Sequence, residues 1–266
     1  MSNTSSFCEL LASGSKADDR VGFFIGDDWL QGRTTYGGLS AALALHAARR
    51  LHDDLPPLRS ATVSFVGPAA GPVVSTARIL RRGRSVSFVE ADLTSDGRIA
   101  TRCGFAFGAA RDSAFDLRLV PAPQVPEPDR CSEFLPEQEG SPVPAFTRHF
   151  EARLARGGRP ITGSADHEHL IWVRHRDRGA IGEAALLAVA DMPPPAILPM
   201  FEEPAPISSM TWLLNIIEHD PDPDGWWLLS TRAEHAANGY SSQDMLVWTR
   251  AGQLAVTGRQ SVALFA

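Results

Sequence analysis

The chain has 266 residues, 44% of them hydrophobic, and 25 basic against 31 acidic side chains give a net charge of −6. No long basic run is present, which argues against a nucleic-acid partner, because phosphate binding needs clustered Lys and Arg. The longest apolar stretches, such as residues 184–190, fall well short of the roughly 18 residues that a membrane span needs.

The first residues, Met-Ser-Asn-Thr-Ser-Ser, have neither the basic segment nor the apolar core of a signal peptide. Cys8, Cys103 and Cys131 are scattered, with no CxxC pair and no histidine cluster beside them. The expectation is a cytoplasmic protein without a disulfide framework or a zinc site. By length the chain holds one large domain or two of ordinary size.

Tyr36-Gly37-Gly38 opens the first organised stretch. Leu39, Ala42, Leu43, His46, Ala47 and Arg50 follow at helical spacing, predicting an Ala-rich helix to about Leu51 that Pro56 and Pro57 cannot continue. Strand-like runs then occupy 58–66, 73–80, 85–93 and 99–107. Gly71-Pro72, Arg82-Gly83-Arg84 and Ser95-Asp96-Gly97 punctuate them, and Asp-Gly is a strong hairpin signal. Residues 111–143 are rich in proline and acidic side chains and read as an extended linker.

Beyond the linker the pattern returns. Residues 146–154 and 167–173 look like strands, and 179–191 like a helix stopped by Met192-Pro193-Pro194-Pro195. Runs at 207–217, 226–233, 242–249 and 254–265 complete the unit. Asp96-Gly97-Arg98-Ile99-Ala100 corresponds to Ala251-Gly252-Gln253-Leu254-Ala255, each opening a final apolar strand. The reading is an α+β tandem (double) hotdog, in which each half is an antiparallel sheet wrapped around a central helix. The halves are 1–110 and 144–266.

Three features depart from core patterning. Asp191 shares a helical face with Ala184, Leu187 and Ala188, and it sits at a helix C-terminus, where the macrodipole disfavours negative charge. An outward turn at the prolines is the alternative. Gln260 falls among Leu254, Val256, Gly258, Val262 and Leu264 on one face of the last strand, where a lone amide must find partners. Ser208-Ser209-Met210-Thr211 places hydroxyls at a strand start.

Five segments in order resemble the type II acyl-CoA thioesterases (TesB-like). Tyr36-Gly37-Gly38 is similar to the Phe-Gly-Gly helix start of that family, and Leu80-Arg81-Arg82-Gly83-Arg84-Ser85 to its arginine-rich hairpin. Val189-Ala190-Asp191 resembles its Ala-Ser-Asp segment. Trp226-Trp227-Leu228-Leu229 and Arg259-Gln260-Ser261 resemble its Trp-Leu-Leu strand and its final Gln-containing strand. The chain departs at Thr34, where the family often has histidine, and at Thr211-Trp212, where it commonly has Asp-His.

The resemblance implies hydrolysis of acyl-CoA to free acid and CoA, with no cofactor and no metal. It implies a catalytic set of Asp191, Gln260 and a hydroxyl from Ser209, with Ser208 as the near alternative. Tyr36, Gly37, Gly38, Arg81 and Arg84 are the substrate-binding candidates. Oxyanion-binding amides are expected at Gly37-Gly38 or Gly179-Ala180. Acyl-CoA is the expected partner, and a homodimer the expected assembly. The rival readings are a non-catalytic acyl-CoA-binding double hotdog, a hotdog enoyl-CoA hydratase and a purely structural protein. Hydratase chemistry wants an Asp/His pair in one segment, and none follows the second helix.

Overall fold

The computed structural model describes residues 4–136, 143–219 and 224–265, so that part of the linker, 137–142, lies outside the described residues. Helix α1 (Phe7–Ala12) and strands β1 (Ser15–Ala17) and β2 (Arg20–Ile25) come first. The two-residue strands β3 (Leu30–Gln31) and β4 (Thr34–Thr35) lead into helix α2 (Gly37–Leu51). Strands β5 (Leu58–Phe65), β6 (Gly71–Arg82), β7 (Val86–Ser95) and β8 (Arg98–Gly108) follow. The second half contains β9 (Ser132–Glu133), β10 (Phe150–Gly157), β11 (Glu168–His175) and helix α3 (Gly182–Ala190). It closes with β12 (Ile207–Ile216), β13 (Trp227–Ala237), β14 (Tyr240–Thr249) and β15 (Leu254–Leu264).

Among the described residues, all strands but β3 and β4 join one antiparallel sheet, in the order β1-β2-β6-β7-β8-β5-β12-β15-β14-β13-β11-β10-β9. The two halves meet at its centre, where β5 pairs with β12 in the register Ser64↔Thr211, Val63↔Trp212 and Thr62↔Leu213. Helix α2 lies against β2, β6, β7 and β8 and against α3. Its residues from Gly38 to Ala48 are buried on every side except at His46, a placement that small alanine side chains permit. The core joins Leu39 and Leu43 of α2 to Val89, Phe105, Leu187 and Val256.

The helix of the first half and its four following strands agree with the sequence reading to within two residues at each end. Strand β2 was not anticipated, although Val21, Phe23 and Ile25 alternate as a buried face. Residues 145–149 form a 3-10 turn rather than the start of a strand, and β10 begins at Phe150. Helix α3 is shorter than the expected 179–191. The sequence reading also passed over Asn238-Gly239, which joins β13 to β14. Both residues have positive φ (53° and 80°), the geometry that Asn-Gly supplies in a two-residue hairpin.

The proline-rich segment is more than a spacer. Trp172 and Trp248 donate their indole N–H groups to the carbonyls of Pro126 (2.9 Å) and Val120 (3.1 Å). Ser132–Glu133 adds to the sheet edge at β10, where proline-rich chain is tolerated.

One polar clamp ties the two helices together. Arg49 of α2 pairs with Glu183 of α3 at 2.6 Å and donates to the carbonyls of Leu55 and Pro56. The other oxygen of Glu183 accepts the Leu58 N–H at 2.6 Å. Removing the carboxylate strands a partly buried guanidinium and a strand amide together. Glu183→Ala is expected to lower stability by about 2–3 kcal/mol, and Glu183→Gln by less. Urea denaturation of the three proteins checks the order, and equal midpoints would show that the clamp contributes nothing.

Candidate active site

Asp191 is the C-cap of α3, with φ −102° and ψ 10°, where the following proline-rich segment cannot continue the helix. Its carboxyl turns inward. Oδ1 accepts a hydrogen bond from Gln260 Nε2 at 2.8 Å, and the Gly38 N–H also bonds to the carboxyl. The start of α2 therefore points at the end of α3, across the two halves of the chain.

Glycine makes this approach possible. A Cβ on Gly37 would lie 2.5 Å from the Phe65 ring and 2.7 Å from Asp191 Oδ2, and one on Gly38 would lie 3.0 Å from Asp191 Cβ. Any larger residue would force the helices apart. The residue keeps some solvent access, which leaves water a way in, yet dense surrounding protein desolvates the carboxyl strongly. Burial pushes the pKa of Asp191 up to about 7, and the hydrogen bonds from Gln260 and Gly38 offset only part of that.

Gln260 belongs to a longer chain of amides. Its Oε1 accepts from Gln243 Nε2 at 2.9 Å, and Gln243 Oε1 accepts from the Ala196 N–H at 2.9 Å. Gln243 and Gln260 are opposite one another on β14 and β15, so their side chains share a face, and both are buried. The sequence reading passed over Gln243. The signal was available, because Ser241, Gln243, Met245 and Val247 alternate on a buried face of β14 exactly as the neighbours of Gln260 do on β15.

The register of β12 separates the two candidate serines. Ser209 lies opposite Val262, on the buried face and one diagonal step from Gln260, about 7–8 Å between backbones. Ser208 lies opposite Ala263 and is exposed on the other face. A bulge at Met210 then returns Trp212 to the buried face opposite Gln260. The Trp212 indole N–H has no hydrogen-bond partner among the described residues.

Tyr36 is buried. Its hydroxyl donates to the Ala188 carbonyl at 3.2 Å and its ring stacks on Phe146, so it anchors the N-terminus of α2 to α3. Arg81 and Arg84 are exposed on the β6–β7 hairpin. That hairpin lies beyond the C-terminal end of α2, where Arg82 pairs with Asp54, and the 15-residue helix runs about 22 Å from there to Asp191. The Gly179 and Ala180 amides are already taken, by Asp177 Oδ1 at 3.0 Å and the Asp177 carbonyl at 3.1 Å. The structure thus gathers Asp191, Gln260, Gly37 and Gly38, sets Ser209 on the same face, and leaves the two arginines at a distance.

This architecture is that of the hotdog fold. A hotdog protein from Alicyclobacillus acidocaldarius superposes with a TM-score of 0.86 over 99% of both chains, at 25% identity. A thioesterase-like protein from Novosphingobium aromaticivorans is 27% identical, with a TM-score of 0.78 over 95% of this chain and 98% of its own. The tesB protein of Mycobacterium avium subs paratuberculosis, 16% identical, shares the fold with a TM-score of 0.78 over 98% and 100% of the two chains. No curated protein matches the chain. Family models for the acyl-CoA thioesterase N-terminal and C-terminal domains match residues 25–108 and 128–264. The chain belongs to the acyl-CoA thioesterase family, and the family makes it a thioester hydrolase.

The raised pKa of Asp191 has a consequence for stability. The folded value of about 7 lies above the ordinary 3.8, so the unfolded chain gives up this proton first and stability falls as pH rises between the two. Asp191→Asn carries no charge at any pH. Its melting temperature is expected to gain on wild type by a few degrees as pH goes from about 5 to about 8. A gap that does not change between those two melts would mean that the carboxyl is not desolvated.

Proposed function

We propose that the chain hydrolyses acyl-CoA thioesters by water attack at Asp191, within a tandem hotdog whose halves, 1–110 and 144–266, each wrap a sheet around one helix. The observation that carries this reading is a single desolvated carboxyl, held by Gln260 and met by the N-terminus of α2. Among the described residues, the hydrogen-bond partners of Asp191 are Gln260 and Gly38, neither of them a nucleophile. Asp191 acts as general base, and a pKa near 7 suits a group that must exist as carboxylate at neutral pH and still accept a proton.

Water held by Asp191, Gln260 and the Ser209 hydroxyl attacks the thioester carbonyl and loses its proton to Asp191. The carbonyl oxygen gains the negative charge, and the Gly37 N–H stabilises it at the positive end of α2. Collapse of the tetrahedral intermediate breaks the C–S bond. The proton on Asp191 passes to the departing thiolate, leaving acid, CoA and the original carboxylate. Holding water in place makes its attack nearly unimolecular, the larger part of what such a site supplies.

The pantetheine arm separates the phosphates of CoA from its thioester. Contacts of Arg81 and Arg84 with those phosphates therefore suit a hairpin that lies a helix length from Asp191. The assembly we propose is a homodimer.

The test is thiol release from acyl-CoAs of short, long and aromatic acyl groups. Asp191→Asn is expected to lose at least ~10²-fold in kcat with its fold intact, and Ser209→Ala about tenfold. For wild type, kcat/KM is expected to rise with pH through about 7 and then level off, because the base must be ionised. Full activity in Asp191→Asn would remove the proposed site, whereas binding without turnover in wild type would favour a non-catalytic acyl-CoA-binding protein.

A further inference from the structure

Among the described residues Gln243 hydrogen-bonds to Gln260 and the Ala196 N–H and not to Asp191, which places it one link behind the carboxyl. A side-chain amide is ambiguous, since either end can face a neighbour, and the neighbours decide. Here the decision starts from the backbone. The Ala196 N–H can only donate, so the end of Gln243 that meets it at 2.9 Å must be the carbonyl oxygen. The NH2 of Gln243 is thereby turned toward Gln260, 2.9 Å away, which must answer with its own oxygen. Only the NH2 of Gln260 is left to face Asp191, at 2.8 Å.

The order is Ala196 N–H, Gln243, Gln260, Asp191, every link a donor facing an acceptor. Both glutamines are buried, with 1% and 5% of their surface exposed, so water does not scramble the sequence. From this geometry we infer that Gln243 is a positioning residue of the hydrolase: it locks Gln260 as a hydrogen-bond donor to Asp191 and so keeps the general base ionisable. The inference rests on the reading of Asp191 as that base.

A Gln260 free to rotate would spend part of its time with its oxygen against the carboxylate. That orientation repels the ionised form and favours the protonated one, so the base would ionise at higher pH. It would also turn the Gln260 donor away from the attacking water. The consequence is specific, a change in kcat and in the acid limb of the pH profile rather than in substrate affinity.

Gln243→Met keeps the length of the side chain and removes both polar ends. Folding is checked by melting temperature, and kcat and KM for an acyl-CoA are measured from about pH 5 to about pH 9, beside wild type and Asp191→Asn. The expected result is a kcat lower by about tenfold at neutral pH, KM within about threefold of wild type, and an acid limb moved upward by about half to one pH unit. A folded Gln243→Met with the wild-type kcat and limb overturns the inference.

Should the methionine variant not fold, Gln243→Glu carries the test. A protonated glutamic acid can still donate to Gln260, whereas its carboxylate can only accept and would turn Gln260 around. Activity of that variant is expected to fall again as pH rises, giving a bell where wild type has a plateau. A plateau at the wild-type height overturns the inference, whereas a plateau well below it means that the glutamate is ionised throughout and holds Gln260 reversed. Loss of activity in Asp191→Asn with no effect of the Gln243 variants sinks this inference alone. Full activity in Asp191→Asn sinks the proposed site and this inference with it.

Discussion

Everything distinctive in this structure depends on two helix ends being allowed to meet. The N-terminus of α2 and the C-terminus of α3 come from different halves of the chain, and the space between them is what Gly37 and Gly38 leave open. The contact is favourable in one respect, since the positive end of α2 faces a carboxylate. In another it is costly, because the carboxyl is removed from bulk water and stands at the negative end of its own helix. Desolvation dominates and holds the pKa near 7, with the hydrogen bonds from Gln260 and Gly38 offsetting only part of it. A carboxyl left in water would be a weak base, and one paired with a cation would hardly take a proton at all.

The rest of the fold holds that meeting in register. The β5–β12 pair welds the two halves into one sheet, so the helices cannot drift independently. Arg49, Glu183 and the Leu58 amide clamp the far side, and the Tyr36 hydroxyl on the Ala188 carbonyl fixes the near side. Rigid, buried contacts of this kind suit a site that relies on orientation more than on reactive side chains. The amide chain from Ala196 to Asp191 extends the same principle, since its direction is set by one backbone N–H that has no alternative role.

Much of this was legible beforehand. Asp191 and Gln260 stood out because each is polar on an otherwise apolar face, and the structure joins them by one hydrogen bond. Tyr36-Gly37-Gly38 stood out as a helix start, though the tyrosine proved to be an anchor whose hydroxyl is already engaged. Gln243 was equally visible on the same argument and was passed over, because it belonged to no recognised motif. The choice between Ser208 and Ser209 was beyond local pattern. A bulge at Met210 shifts the alternation of β12, so that counting back from Trp212 would set Ser208 on the buried face, whereas the pairing with β15 sets Ser209 there.

By itself the sequence determined the longer elements, α2 and the strands β5–β8 above all. Alternation, Ala-rich helical spacing and turn residues act over a few residues, and hence are written locally. It also carried the resemblance to the family, through five short motifs in order along the chain, and the family models bear that resemblance out. The tertiary structure alone decided which polar groups touch. Asp191 and Gln260 are 69 positions apart, and Gly37 lies more than 150 positions from the carboxyl it approaches. Contacts across such separations depend on the closing of the central sheet and the packing of α2 on α3, and the same packing supplies the desolvation that tunes Asp191. Burial is a property of the whole fold, and no local run of residues encodes it.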